Sequence, residues 1–122
     1  QLQGPDLSTL DTTEPTSLGQ SISPEVASTL TDLMVGSENN SGGEGKIAGV
    51  QIASKTGTAE HGSDPRNTPP HAWYIAFAPA QDPKIAIAVI VENGGDRALA
   101  ATGGSVAAPV ARAVLGAGLQ GR

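Results

Sequence analysis

Two neighbouring segments of this 122-residue chain, residues 71–79 and 84–92, are apolar on both of their alternating faces. In the first, Trp73, Ile75 and Phe77 alternate with Ala72, Tyr74 and Ala76. In the second, Ile85, Ile87, Val89 and Val91 alternate with Ala86, Ala88 and Ile90. Side chains along a strand point to opposite faces in turn, so a strand with one wet face carries polar residues at every second position. Neither segment does. Such strands belong in the middle of a sheet with cover on both sides. The connection Pro79-Ala80-Gln81-Asp82-Pro83 is a short hairpin, which makes the pair antiparallel. A third strand is predicted over residues 47–58, where the run from Ile47 to Ile52 leads into Ala53-Ser54-Lys55-Thr56-Gly57-Thr58. Small Ala side chains on one face and large ones on the other predict helices packed close on the Ala side.

Two helices are predicted to supply that cover. Ser23-Pro24-Glu25 is a helix start: a hydroxyl to cap free N–H groups, a proline at the first helical position, and a carboxylate at the positive end of the dipole. Val26, Leu30, Leu33 and Met34 then share one face, and Gly36 is placed to end a helix over residues 23–35. A second helix is predicted over residues 105–115 from Val106, Val110, Ala113, Val114 and Leu115. Pro109 fits only near its first turn, and Gly116 and Gly118 close the pattern. Residues 36–46 read as a glycine- and asparagine-rich loop, and residues 92–104 as a polar, glycine-rich crossover. Residues 1–22, with Pro5, Pro15 and no sustained periodicity, read as an extended tail or linker. The fold class is α+β, an antiparallel sheet flanked by helices.

Composition narrows the function. The net charge is −5, and every charged residue before Lys46 is acidic. No basic patch exists to neutralise phosphates, which argues against nucleic-acid binding. There is no Cys, which removes disulfides, thiolate metal sites and cysteine nucleophiles. No apolar run approaches the roughly 18 residues that a membrane helix needs.

The chemistry-bearing stretch is Ala53-Ser54-Lys55-Thr56-Gly57-Thr58-Ala59-Glu60. It puts a cation, two hydroxyls and a glycine on one strand. Lys55 and Gly57 lie on one side of the pleat, Thr56 and Thr58 on the other. Gly57 removes a side chain where another molecule can approach the backbone. This arrangement suits an extended, carboxylate-bearing ligand laid along a strand edge.

Lys55-Thr56-Gly57 with its flanks resembles the C-terminal end of class B penicillin-binding transpeptidases. The likeness continues through Ala72-Trp73-Tyr74-Ile75-Ala76-Phe77-Ala78-Pro79-Ala80, Pro83-Lys84-Ile85-Ala86 and Val91-Glu92-Asn93-Gly94-Gly95. It covers about residues 20–118 in order. Residues 23–122 are accordingly expected to be the C-terminal part of a transpeptidase domain. A chain starting at Gln1, with no initiator Met and no hydrophobic leader, is expected to be a fragment.

The resemblance implies a peptidoglycan D,D-transpeptidase that works through an acyl-serine intermediate and is acylated by β-lactams. Lys55 would attract the terminal carboxylate of the stem peptide or of a β-lactam and bias the electrostatics of the site. Thr56 and Thr58 would donate hydrogen bonds to that carboxylate. The backbone N–H of Thr58 would form half of an oxyanion hole, and Gly57 would let the substrate pair as an added strand. The resemblance also implies an extracytoplasmic location, with anchoring through a segment not in this chain, and the missing N-terminal part of the same protein as a partner. No cofactor or metal is implied. The nucleophile motif, Ser-x-x-Lys, is missing: no Ser is followed three positions later by Lys. The chain by itself is therefore expected to be inactive.

Other candidates are weaker. Ser37-Glu38-Asn39 fits the family's Ser-x-Asn pattern but reads as part of a turn just before the Lys-Thr-Gly strand, so we assign it no catalytic role. His61 and His71 lie at opposite ends of a loop without metal-ligand spacing. Glu60 and Asp64 read as solvated loop charges, and Trp73 as core packing rather than a sugar-stacking platform. The alternative reading of the whole chain is a non-catalytic binding or structural module with a penicillin-binding-protein-like fold.

Overall fold

The structure is a computed structural model that describes residues 2–42 and 45–121. Its centre is a three-stranded antiparallel sheet in the order β3-β4-β5, formed by Ala53–Ala59, His71–Ala78 and Ile85–Val91. Strands β3 and β4 pair from Ala53↔Phe77 to Ala59↔His71, and β4 and β5 from Ala72↔Val91 to Ala78↔Ile85. Helix α1 (Pro24–Asn40) lies along β3. Helix α2 (Ala108–Gln120), entered through a π-helical turn at Gly103–Ala107, covers β4 and β5. The fold is thus α+β, with helices flanking an antiparallel sheet. Among the described residues no single helix is long and apolar enough to cross a bilayer.

The core sits between the sheet and α2. Ala72, Tyr74, Ala76 and Ala78 of β4 are buried against Ala107, Ala108, Ala111 and Leu115, with Ile52 at the margin. On β4 the small residues do face the helix. On β5 the reverse holds: Ile85, Ile87, Val89 and Val91 turn toward the core, and Ala86 and Ala88 are exposed. The opposite face of the sheet is open among the described residues, with Trp73 39%, Ile75 46% and Ile90 41% exposed. The two-sided cover that the sequence calls for is therefore present on one side only, and Trp73 is not a core residue of this chain. The stripe on α1 is similarly open, with Val26, Leu30 and Leu33 exposed.

Several boundaries differ from expectation. The first strand of the sheet begins at Ala53 and not at residue 47. Gly49, at φ 75°, turns the chain, Val50 N–H donates to Ile47 O, and the segment leads into the sheet. Helix α1 is capped by Ser23 as expected but runs past Gly36 to Asn40. Gly36 does not take the left-handed conformation of a terminating glycine, and Asn40 Nδ2 donates back to Gly36 O at 2.9 Å. The predicted loop over 36–46 is correspondingly shorter, and its residues 43 and 44 lie outside the described residues. Residues 92–100 form 3-10 turns rather than an open crossover. Helix α2 continues through Gly116 and Gly118. A glycine costs about 1 kcal/mol in a helix relative to Ala, and Gly118 makes room for Ile85, whose Cδ1 would stand 2.6 Å from an added Cβ. Pro109 falls in the first turn of α2, where it is tolerated. The N-terminal segment carries a small hairpin, β1 (Leu2–Gln3) with β2 (Thr9–Asp11), too short to leave a periodic signal.

Candidate active site

Strand β3 is an edge strand among the described residues. Lys55 lies in its first half rather than at its end. It is exposed, its Nζ donates to the Thr56 carbonyl at 2.7 Å, and it joins no ion pair among the described residues. The register puts Lys55 opposite Ile75 and Gly57 opposite Trp73, on the open face. Thr56 and Thr58 lie opposite Tyr74 and Ala72, on the face toward α2. Thr58 is exposed and Thr56 half-buried. Lys55, Thr56, Gly57 and Thr58 therefore stand together on a regular, unbulged strand whose outer edge no described strand occupies.

Behind this strand the backbone is backed at short range. A Cβ on Gly103, at the start of the π-helical turn, would overlap the Trp73 carbonyl oxygen. It would also lie 2.7 Å from Gly57 O and 2.9 Å from Gly57 N. No side chain fits there, so the turn presses directly on the Gly57–Trp73 pair. Thr102 and Ser105 fix the turn with a reciprocal capping box.

A buried polar cluster adjoins the same strand at Ser54. Glu38, from the last turn of α1, is 4% exposed. Its Oε1 accepts from Arg112 Nε at 2.9 Å, and its Oε2 from Ser54 Oγ at 2.5 Å and Tyr74 Oη at 2.9 Å. Arg112 Nη2 also donates to Ser41 Oγ at 2.9 Å, and the guanidinium lies 5.7 Å from the Tyr74 ring centroid. Four elements, α1, β3, β4 and α2, meet at one carboxylate. Burial opposes the charge on Glu38, but the hydrogen bonds from Arg112, Ser54 and Tyr74 outweigh it and hold the carboxyl below its ordinary range. Burial and the neighbouring carboxylate push the Tyr74 phenol up. Burial works against the Arg112 charge, and Glu38 more than compensates, so its pKa is raised.

Sequence reasoning missed this cluster. In the sequence Glu38 reads only as the middle of Ser37-Glu38-Asn39 in a turn, whereas that tripeptide is helical and Glu38 is buried. One signal was available: Arg112 falls on the face of α2 that carries Ala108, Ala111 and Leu115, all buried. A charge on an apolar helical face demands a partner.

The two histidines are not independent loop ends. Their rings stack at 3.9 Å with 7° between planes. His71 Nδ1 accepts from the Asn93 N–H at 3.1 Å, and His61 Nε2 lies 3.0 Å from Pro69 O. They close the loop that joins β3 to β4. Among the described residues no group of acidic or histidine side chains is arranged to hold a metal.

This antiparallel sheet with its flanking helices has the architecture of a penicillin-binding protein transpeptidase domain. Residues 4–116 match the family described as penicillin binding protein transpeptidase domain, and the chain belongs to that family. Among its relatives is the peptidoglycan D,D-transpeptidase PbpA of Mycolicibacterium smegmatis, 67% identical over 119 residues, which are 98% of this chain and 24% of that protein. The PbpA of Mycobacterium tuberculosis is 64% identical over 120 residues, with the same two coverages. Penicillin-binding protein A from M. tuberculosis, solved as a ceftriaxone acyl-enzyme complex, matches with a TM-score of 0.81 at 63% identity. That match covers 94% of this chain and 26% of the other. Its penicillin G acyl-enzyme complex matches with a TM-score of 0.74 at 62% identity, over 95% of this chain and 25% of the other. The chain thus spans about a quarter of the length of these curated relatives.

Proposed function

We propose that this chain is the C-terminal, substrate-binding part of a peptidoglycan D,D-transpeptidase domain that cross-links stem peptides through an acyl-serine and is acylated by β-lactams. The observation that carries the reading is Lys55: an exposed ammonium on what is an edge strand among the described residues, in no ion pair with any of them, flanked by Thr56, Gly57 and Thr58. A cation paired with no described carboxylate can take one from a ligand. Lys55 attracts the substrate carboxylate, and Thr56 and Thr58 donate hydrogen bonds to it. The open edge pairs with an extended peptide, for which Gly57 leaves room. The Thr58 N–H serves the developing oxyanion. Nucleophile and general base come from the Ser-x-x-Lys of the remaining polypeptide, so this segment alone forms no acyl-enzyme. The family match begins at residue 4; residues 23–122 carry the sheet and its flanking helices, and residues 1–22 lead into them. The complete protein works on the extracytoplasmic face of the membrane, held by a segment outside this chain.

The test is the second-order acylation rate of the complete polypeptide with a fluorescent penicillin. A hydrogen bond to a charged group is worth about 1.5–3 kcal/mol. Lys55→Ala should therefore slow acylation roughly ten- to hundredfold with an unchanged circular dichroism spectrum. A wild-type rate would make Lys55 a surface lysine and return the chain to the reading of a non-catalytic module. So would a complete coding sequence without Ser-x-x-Lys.

A further inference from the structure

Ser54 plays no part in the ligand chemistry assigned to its neighbours, yet it is 1% exposed and donates to a buried carboxylate. Its position gives that bond a consequence. Adjacent residues on a strand point to opposite faces, so the rotation of β3 that turns Ser54 inward turns Lys55 outward. Fixing the Ser54 hydroxyl fixes the rotation of the strand about its own axis, and with it the direction in which Lys55 leaves the backbone. An interior strand gets this restraint from ladders on both sides. Strand β3 has a described ladder on one side only, and the helix-borne carboxylate supplies a second attachment. Glu38 can serve as an anchor because it is held in turn by the buried guanidinium of Arg112 from α2.

We propose that Glu38 and Ser54 are positioning residues: the buried Glu38 carboxylate, through the Ser54 hydroxyl, sets the orientation of β3 and aims the Lys55 ammonium at the substrate carboxylate. This rests on the reading of Lys55 as the carboxylate-binding cation. It goes beyond that reading in assigning a task to a side chain on the far side of the strand and to a helix outside the lysine strand. Three hydroxyls meet the same carboxylate oxygen, from Ser54, from Tyr74 and, at 3.3 Å, from Ser41, but only Ser54 is covalently next to Lys55. That difference makes the proposal separable from a general contribution to stability.

The experiment is a double-mutant cycle in the complete polypeptide, read as the second-order acylation rate with a fluorescent penicillin, with melting temperature recorded for every variant. Loss of aim in a positioned group is costly, and we expect S54A to slow acylation about fivefold while Lys55 is present. In the K55A background the same substitution should change the rate less than about twofold, because the group it aims has gone. Y74F removes a different hydroxyl from Glu38 and should lower the melting temperature comparably while leaving acylation within about twofold of wild type. If S54A lowers the yield of folded protein, S54C, which keeps a weak S–H donor, enters the cycle instead. An equal loss from S54A in both backgrounds overturns the proposal, as does a loss in Y74F matching that in S54A. A K55A protein acylating at the wild-type rate is a different failure: it removes the reading of Lys55 on which the proposal stands.

Discussion

Replacing Glu38 by Ala should be among the most damaging single changes in this chain, for reasons that can be sized. Its partner Arg112 has a side chain 0% exposed, so the substitution leaves a guanidinium in the interior without its carboxylate. Breaking a buried pair this way costs about 3–5 kcal/mol. The hydroxyls of Ser54 and Tyr74 lose the same acceptor, each worth up to about 1–3 kcal/mol if left unsatisfied, though the terms do not add in full. Set against the 5–15 kcal/mol typical of a whole domain, a loss of about 4 kcal/mol is a large share. The contrast that identifies the cause is Glu38→Leu with Arg112→Met, which removes both charges and should recover at least half of the loss. The pH dependence follows from the lowered pKa of Glu38. A group whose folded pKa lies below its unfolded value stabilises above the unfolded value and loses that contribution as pH falls through the folded one. The gap between wild type and Glu38→Ala should thus be full at neutral pH and narrow below the ordinary value of 4.5. Urea denaturation of the complete polypeptide at several pH values measures all of this. A loss under about 1 kcal/mol at pH 7, or a double variant no better than the single one, would refute the reasoning.

Three further outcomes are expected. Thr58→Ala should slow acylation less than Lys55→Ala, since the backbone N–H remains, and Lys55→Arg should restore only part of the rate because a planar, differently hydrated fork replaces a compact ammonium; the same fluorescent-penicillin assay decides both. Gly103→Ala should destabilise by about 1–3 kcal/mol, as overpacking does, because the added methyl meets the Gly57 and Trp73 backbone rather than a flexible side chain; a melting temperature equal to wild type would contradict this. The isolated 122-residue chain should unfold over a broad, low-temperature range, given Trp73, Ile75 and Ile90 exposed on one sheet face; a sharp, reversible transition in calorimetry would count against it.

What could be read from the sequence followed from local rules, and what could not came from contacts at long range. The cap at Ser23 and the alternation in β4 and β5 are short-range signals, and those elements stand where they were expected. The lysine strand was recognisable from Lys55-Thr56-Gly57 and its flanks. Glycine was the unreliable sign. Gly36, Gly116 and Gly118 read as helix ends, yet all three lie within helices; a glycine can also serve where a neighbour must come close, although no described residue approaches Gly36. Gly118 accommodates Ile85 in just this way. The Glu38 cluster joins residues up to 74 positions apart. No local pattern can pair Glu38 with Arg112, although Arg112 by itself marked a face that had to find a carboxylate.

The two faces of the sheet show how far packing constrains the lysine strand. On the side of α2 the contacts are close and rigid: alanines of β4 against alanines of α2, a π-helical turn that admits only Gly103, and a carboxylate holding Ser54. Small side chains bring backbones together and leave little freedom to slide, since interiors packed to this density transmit displacement rather than absorb it. On the other side, large apolar side chains stand uncovered. Lys55 and Gly57 belong to that open side, so the rigid face determines where they are presented while contributing nothing to what they contact. On the function proposed above, a strand that keeps a cation aimed at an extended, carboxylate-bearing ligand benefits from this division. The restraint acts on Ser54 and on the backbone at Gly57, one on each flank of Lys55–Thr56, and leaves the ammonium itself free to be drawn from the Thr56 carbonyl to a carboxylate.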